Sequence, residues 1–190
     1  MTDIDYKIFD NYIEFTQYPY KCSAAYTNKI INASIIAEAV DFGYPNTIRT
    51  ISNELIFVPK NNFKTNENQF ILFCNNNDIP VNKRTDIWDM ILTPFLDTKQ
   101  TNEDIENTYK TLERYGIDRI ECNALRQEVS ARMISYNFES GLWDWVHLGL
   151  FDVLDASCGI LSGEKHRLSD KDFELFYFKA MNVALKSFIF

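Results

Sequence analysis

Between Arg84 and Asp155 the chain repeats one local signal, a Ser, Thr or Asp set ahead of a run with apolar residues at helical spacing. Thr85 and Asp86 precede Ile87, Trp88, Ile91, Leu92 and Phe95. Thr101 and Asp104 make a Thr-x-x-Asp relative of the capping box in front of Ile105, Tyr109 and Leu112. Asp118 and Glu121 open a third segment with the stripe Cys122, Leu125, Val129 and Met133. A side-chain oxygen at such a position accepts a backbone N–H that the first helical turn cannot satisfy internally, so these residues mark helix starts. A fourth segment, Leu142 to Asp155, is apolar nearly all round, as a helix is only when buried on every side or shared with a second partner. Pro94 lies inside the first segment, removes the donor to the Met90 carbonyl and predicts a kink there. Ser169 and Asp172 start a last helix carrying Phe173, Phe176, Tyr177, Ala180, Ala184 and Phe188. About five helices are therefore expected in the second part of the chain.

The first part reads differently. Ile4, Tyr6 and Ile8 alternate as in a strand, while Phe9, Tyr12 and Ile13 also fit a helical stripe, and Pro19 ends whichever forms. Over Asn28 to Phe42, the spacing of Ile31, Ile35, Ala39 and Phe42 predicts a helix closed by Gly43. Glu54–Pro59 and Gln69–Cys74 are continuous apolar runs of strand length, joined by a polar loop. They predict an antiparallel hairpin covered on both faces. The expected fold class is α+β, mainly α: a C-terminal helical bundle with a small antiparallel hairpin or sheet in the N-terminal part. The expected organisation is a single domain over 1–190, with an α+β part at 1–83 and a helical part at 84–190.

Composition narrows the function classes. With 190 residues and 46% hydrophobic side chains the chain can build a full core without staples. Its net charge of -8 argues against a phosphate-neutralising nucleic-acid binder. The acid is uneven: residues 1–83 hold 9 acidic and 7 basic side chains, residues 84–190 hold 18 and 12. Cys22, Cys74, Cys122 and Cys158 are far apart and make no Cys-x-x-Cys, and with only His147 and His166 no zinc spacing arises. Buried free thiols are expected. The N-terminus shows no basic and apolar leader and no run long enough to span a bilayer, so a cytoplasmic protein without membrane contact is expected.

Trp88, Ile91, Phe95, Leu96, Asp97 and Thr98, then Glu128-Val129, Asn137, Gly141 and Trp143, form an ordered set over about 60 of the 190 residues. In this the chain resembles a bacterial family of small acidic helical proteins of unassigned function, with the pattern Trp-x-x-Leu-x-x-x-Phe-Leu-Asp-Thr. It departs from that pattern at Pro94 and in a short spacing from Asn137 to Gly141. The resemblance implies a link to toxin–immunity proteins of the contact-dependent growth inhibition type.

Two charge runs stand out. From Asp86 to Glu106 six acids (Asp86, Asp89, Asp97, Glu103, Asp104, Glu106) meet Lys99 alone. From Met133 to Gly163 four acids (Glu139, Asp144, Asp152, Asp155) meet no Lys or Arg. Such runs either steer a basic partner or serve as helix caps and a solvated face. Trp143 and Trp145 flank Asp144 and would point to different sides of a helix, so one of them suits an interface. A hydrolase would need Cys158 and His166 within hydrogen-bond reach, and Asp152 and Asp155, three apart, lack a visible third metal ligand. The leading expectation is a non-enzymatic immunity or antitoxin protein that binds a basic toxin domain, for instance a nuclease, without cofactor or metal. Its partner-binding residues would be Asp89, Glu139, Trp143, Asp144, Trp145, Asp152 and Asp155. The alternatives are a homodimer or scaffold paired through the fourth helix, and a Cys/His hydrolase.

Overall fold

The computed structural model describes residues 4–41, 45–59, 66–139 and 147–189. The chain divides into two compact units, Thr2–Thr85 and Asp86–Phe190. The α+β, mainly α class stands: one unit holds two sheets, the other is helical.

In the first unit, β1 (Asp5–Ile8), β2 (Tyr12–Gln17) and β3 (Ile30–Asn32) form an antiparallel sheet in that order. The alternation at Ile4, Tyr6 and Ile8 thus resolves as strand, with Tyr6 opposite Phe15 and Ile8 opposite Ile13. Tyr6, Phe15, Tyr18, Tyr20 and Phe57 follow one another as an aromatic chain with ring centroids 5.2 to 6.1 Å apart. Their polar ends are satisfied inside: the Tyr6 hydroxyl donates to the Pro59 carbonyl at 2.6 Å, and the Phe57 N–H donates to the Tyr18 hydroxyl at 3.1 Å. α1 (Ala24–Thr27) is a single turn capped by Ser23.

A second sheet has the order β6 (Leu55–Phe57), β5 (Thr47–Thr50), β4 (Ile36–Asp41), β7 (Val81–Lys83), with β4 and β7 parallel and the other pairs antiparallel. The helix expected over Asn28–Phe42 is therefore corrected. Lys29 adopts φ 60°, Ile30–Asn32 joins the first sheet, and Ile36–Asp41 enters the second. Ile30, Ile31, Ile36 and Val40 are β-branched, and cross-strand partners such as Ile13 for Ile31 and Ile48 for Ala39 decide the matter over local spacing. The hairpin is corrected as well. Leu55–Phe57 is a strand, but Gln69–Cys74 lies in helix α2 (Asn66–Asn76). Phe70, Phe73 and Cys74 are buried at helical spacing while Ile71 and Leu72 are exposed, and an unbroken apolar run cannot show that difference in sequence.

Glu38 fastens three strands of this sheet. Its side chain on β4 is buried, and Oε1 accepts from Arg49 Nε of β5 at 2.8 Å. Oε2 accepts from Asn82 Nδ2 of β7 at 2.7 Å and from Arg84 Nη2 at 3.1 Å. Burial alone would push this carboxyl up, but the bonds from Asn82, Arg49 and Arg84 outweigh it and hold the group below its ordinary value.

The second unit contains α3 (Ile87–Leu92), α4 (Asn102–Arg114), α5 (Arg119–Ile134), α6 (Leu150–Ser157) and α7 (Asp170–Ala184). The expected starts are where the caps place them. Asp86 accepts from Trp88 N–H, Thr101 and Asp104 complete a reciprocal capping box, Asp118 accepts from Glu121 N–H and Ser169 from Asp172 N–H. Gly116, at φ +71°, takes the left-handed position after α4.

At Pro94 the structure shows a helix end instead of a kink. α3 stops at Leu92 and passes into the 3-10 turn Thr93–Phe95. The Met90 carbonyl, deprived of its Pro94 donor, accepts instead from Thr93 Oγ1 at 3.0 Å and Arg126 Nη2 at 3.2 Å. Arg126 also donates from Nε to the Ile91 carbonyl and from Nη1 to the Tyr109 hydroxyl, tying α3, α4 and α5 together.

The fourth segment is corrected at its start. His147–Gly149 is not helical, and α6 begins at Leu150, while residues 140–146 lie outside the described residues. All eight residues of α6 are buried, packed by α3, α5 and α7. Burial within the unit therefore accounts for a helix that is apolar on every side, and a second copy is not needed to cover it. Around it stand Trp88, Phe176 and Tyr177, with the Trp88 indole N–H donating to the Ala180 carbonyl at 3.0 Å. Cys74 and Cys122 are buried thiols, as expected, whereas Cys22 and Cys158 are half-buried.

Candidate functional site

The proposed site residues separate in the fold. Asp152 is 6% and Asp155 1% exposed, so these two carboxylates belong to the interior of the second unit and the expectation that they face a partner is corrected. α6 is enclosed on all sides and carries them inward with it. Trp143, Asp144 and Trp145 lie outside the described residues, as does the side chain of Glu139. Of the set, Asp89 is described and half-buried, with its side chain 42% exposed, and its Oδ1 lies 3.0 Å from Nδ1 of His147.

Asp86 and Asp152 serve the N-terminal ends of two helices. Asp86 Oδ1 accepts from Trp88 N–H at 2.9 Å and Oδ2 from Leu150 N–H at 2.9 Å, so one carboxylate caps α3 and satisfies a first-turn N–H of α6. Asp152 Oδ2 accepts from Gly149 N–H at 2.8 Å and Oδ1 from the Tyr136 hydroxyl at 2.9 Å. Gly149 is required here for space: a methyl at its Cα would overlap the Asp86 carboxylate. His147 stands between, bonded to Asp89 on one nitrogen, with Nε2 shielded from solvent and without a hydrogen-bond partner among the described residues.

The electrostatics follow from this enclosure. Burial lifts the Asp86 carboxyl to about 6, opposed by the Leu150 and Trp88 N–H groups and by His147. Asp152 is also raised by burial, with Gly149, Tyr136 and His147 pulling the other way. His147 is raised by its bond to Asp89 against the effect of burial, with further support from Asp86 and Asp152. A His–Asp pair of this kind resembles half of a general-base system. Its second nitrogen is shielded from solvent. Among the described residues no cluster of three or more His, Cys, Asp or Glu side chains could hold a metal ion. Cys158 caps the C-terminus of α6 and His166 ends the 3-10 turn Glu164–His166.

Two predictions arise here. Asp86 and Asp152 bind protons more tightly folded than unfolded, so both make the unit less stable as pH rises from their unfolded pKa through the folded one. The cost of Asp86→Ala, read from urea unfolding, should therefore shrink by about 2–3 kcal/mol between pH 4 and pH 7. A cost that stays level across that range contradicts the assignment. For His147 the sign is set by a raised folded pKa: its stabilising contribution is complete below the unfolded pKa and is lost as pH rises through the folded one. Asp89→Asn should lower the midpoint of the His147 imidazole titration followed by NMR; an unmoved midpoint would discount the pair.

The outward acids lie elsewhere. Asp97, Glu103, Asp104 and Glu106 are exposed on the turn before α4 and its first turns, among them Lys99 as the lone base. Asp104 accepts from Thr101 and Glu106 pairs with Arg119, which leaves Asp97 and Glu103 without an ion-pair or side-chain hydrogen-bond partner among the described residues. The first of the two charge runs carried this signal in the sequence. Tyr136 and Arg126 carried none, because each matters through contacts distant in the chain. Comparison with family models, with curated proteins and with solved structures gives no match. No described helix is long and apolar enough to cross a membrane.

Proposed function

We propose that the chain is an immunity-type protein that binds and neutralises a basic toxin domain, with a nuclease as the class of toxin whose cleft such a surface would fill. The observation that carries this reading is the exposed acid at Asp97, Glu103, Asp104 and Glu106 with a single lysine among it. It sits on a unit, Asp86–Phe190, whose 18 acidic side chains outnumber 11 basic ones. Exposed like charge on one surface steers an oppositely charged partner and raises its association rate more than its final affinity. The partner-facing residues of the reading are accordingly Asp97 and Glu103, joined by Asp89 and by Trp143, Asp144, Trp145 and Glu139 from the sequence pattern. The resemblance of Trp88 to Trp143 to small acidic bacterial proteins is consistent with it. Titration calorimetry at low salt against the basic product of the neighbouring gene should give a one-to-one complex that weakens as salt is added; heat of binding that is absent at low salt would remove the proposal. A thiol reagent at neutral pH separates the hydrolase reading, which requires a fast-reacting Cys158.

A further inference from the structure

Arg132 stands in the last turn of α5, with its guanidinium carbon 5.0 Å from the centroid of the Phe176 ring on α7. Its Nε and Nη2 are both shielded from solvent, and neither has a hydrogen-bond acceptor among the described residues. The contrast with Arg126, two turns earlier on the same helix, is direct. There Nε, Nη1 and Nη2 are all engaged, by the Ile91 carbonyl, the Tyr109 hydroxyl and the Met90 carbonyl. The acid that acts on Arg132 through space is Glu128, one turn back, and its carboxylate accepts from Lys179 Nζ at 2.7 Å.

The two idle donors are not any two. Nε–H and the near Nη2–H project in parallel from one edge of the guanidinium plane, the edge that grips both oxygens of a carboxylate or two oxygens of a phosphate. Phe176 supports the opposite requirement, a flat floor that fixes the plane through its ring face. Desolvated donors on a full cation cost free energy unless something answers them, and a buried group in that state points to a water or an ion in its place. A cationic fork is answered best by an anion, since charge-assisted bonds are roughly twice as strong as neutral ones. Shielding from bulk solvent restricts the ligand to a small one.

We propose that the Nε/Nη2 edge of Arg132, laid on Phe176, is a binding site for a small oxyanion of the carboxylate or phosphate class. The site is independent of the protein-binding reading, and either can fail without the other. The test is an NMR titration of the arginine Nε–H resonances in the full chain, with sodium phosphate, sodium acetate and sodium chloride compared at equal ionic strength. The Arg132 signal, assigned through its loss in Arg132→Lys or by sequential assignment if that variant does not fold, should shift and saturate with phosphate or acetate. Arg126 Nε–H, already held by the Ile91 carbonyl, should stay in place. Saturation with phosphate alone identifies a tetrahedral ligand, and with acetate alone a planar one. Phe176→Leu keeps the cation but removes the floor, and should raise the half-saturating concentration at least fivefold. An Arg132 signal that ignores both oxyanions, or that moves equally in chloride, overturns the site and leaves a water as the occupant.

Discussion

Trp88→Ala should destabilise the 86–190 unit by about 3–5 kcal/mol, the range for deleting a large aromatic from a packed interior. Trp88 is fully buried, its ring lies 6.2 Å from that of Phe176, and its indole N–H satisfies the Ala180 carbonyl. The substitution thus opens a cavity among α3, α6 and α7 and removes one interior hydrogen bond. Urea unfolding followed by far-ultraviolet circular dichroism measures the loss. Trp88→Phe retains most of the volume but not the N–H and should fall between the two. If the alanine variant unfolded within 1 kcal/mol of the parent, Trp88 would not be the centre of this core.

Glu38→Ala is the second large effect, in the 2–85 unit. The substitution leaves Arg49 and Arg84, both only partly exposed, facing one another without the carboxylate that now accepts from each. Breaking a buried charge pair from one side costs about 3–5 kcal/mol, because the remaining charge stays desolvated. Glu38→Gln keeps the shape and one acceptor, and should lose less. The depressed Glu38 pKa also fixes a pH direction. Its contribution is present above the unfolded carboxyl value and disappears as pH falls through the folded one, so the cost of Glu38→Ala should be greatest near neutral pH and fade in acid. Hydrogen exchange on β4, β5 and β7 would report it residue by residue.

What could be read in the chain beforehand was what is local. Asp86, Thr101, Asp118 and Ser169 start helices because each bonds within its own first turn, and no distant residue is needed to recognise them. Ile30–Asp41 and Gln69–Cys74 went the other way for the opposite reason. Their state depends on Ile13, Ile48 and Val81 as strand neighbours, or on which side of a helix is covered. The resemblance motif shows the same division. Trp88, Ile91, Phe95, Val129 and Asn137 are buried, and Asn137 Nδ2 donates to the Phe95 carbonyl at 2.7 Å, so these residues work in packing. Asp97 of the same motif is exposed. The acids of α6 misled because a run without Lys or Arg suggested an uncompensated surface. For Asp152 the compensation comes from His147, from the Gly149 N–H and from the Tyr136 hydroxyl, none of which a charge count registers.

That division between inner and outer acid is the central claim, and association kinetics test it most directly. Stopped-flow mixing with the proposed basic toxin domain would compare three proteins: the parent, a surface variant Asp97→Lys/Glu103→Lys, and an interior variant Asp152→Asn. The surface variant should associate at least about tenfold more slowly at low salt, with its unfolding midpoint little changed. Asp152→Asn should shift the unfolding midpoint while its folded fraction associates at the parental rate. The opposite pattern, a slow interior variant beside an unaffected surface variant, would contradict the account.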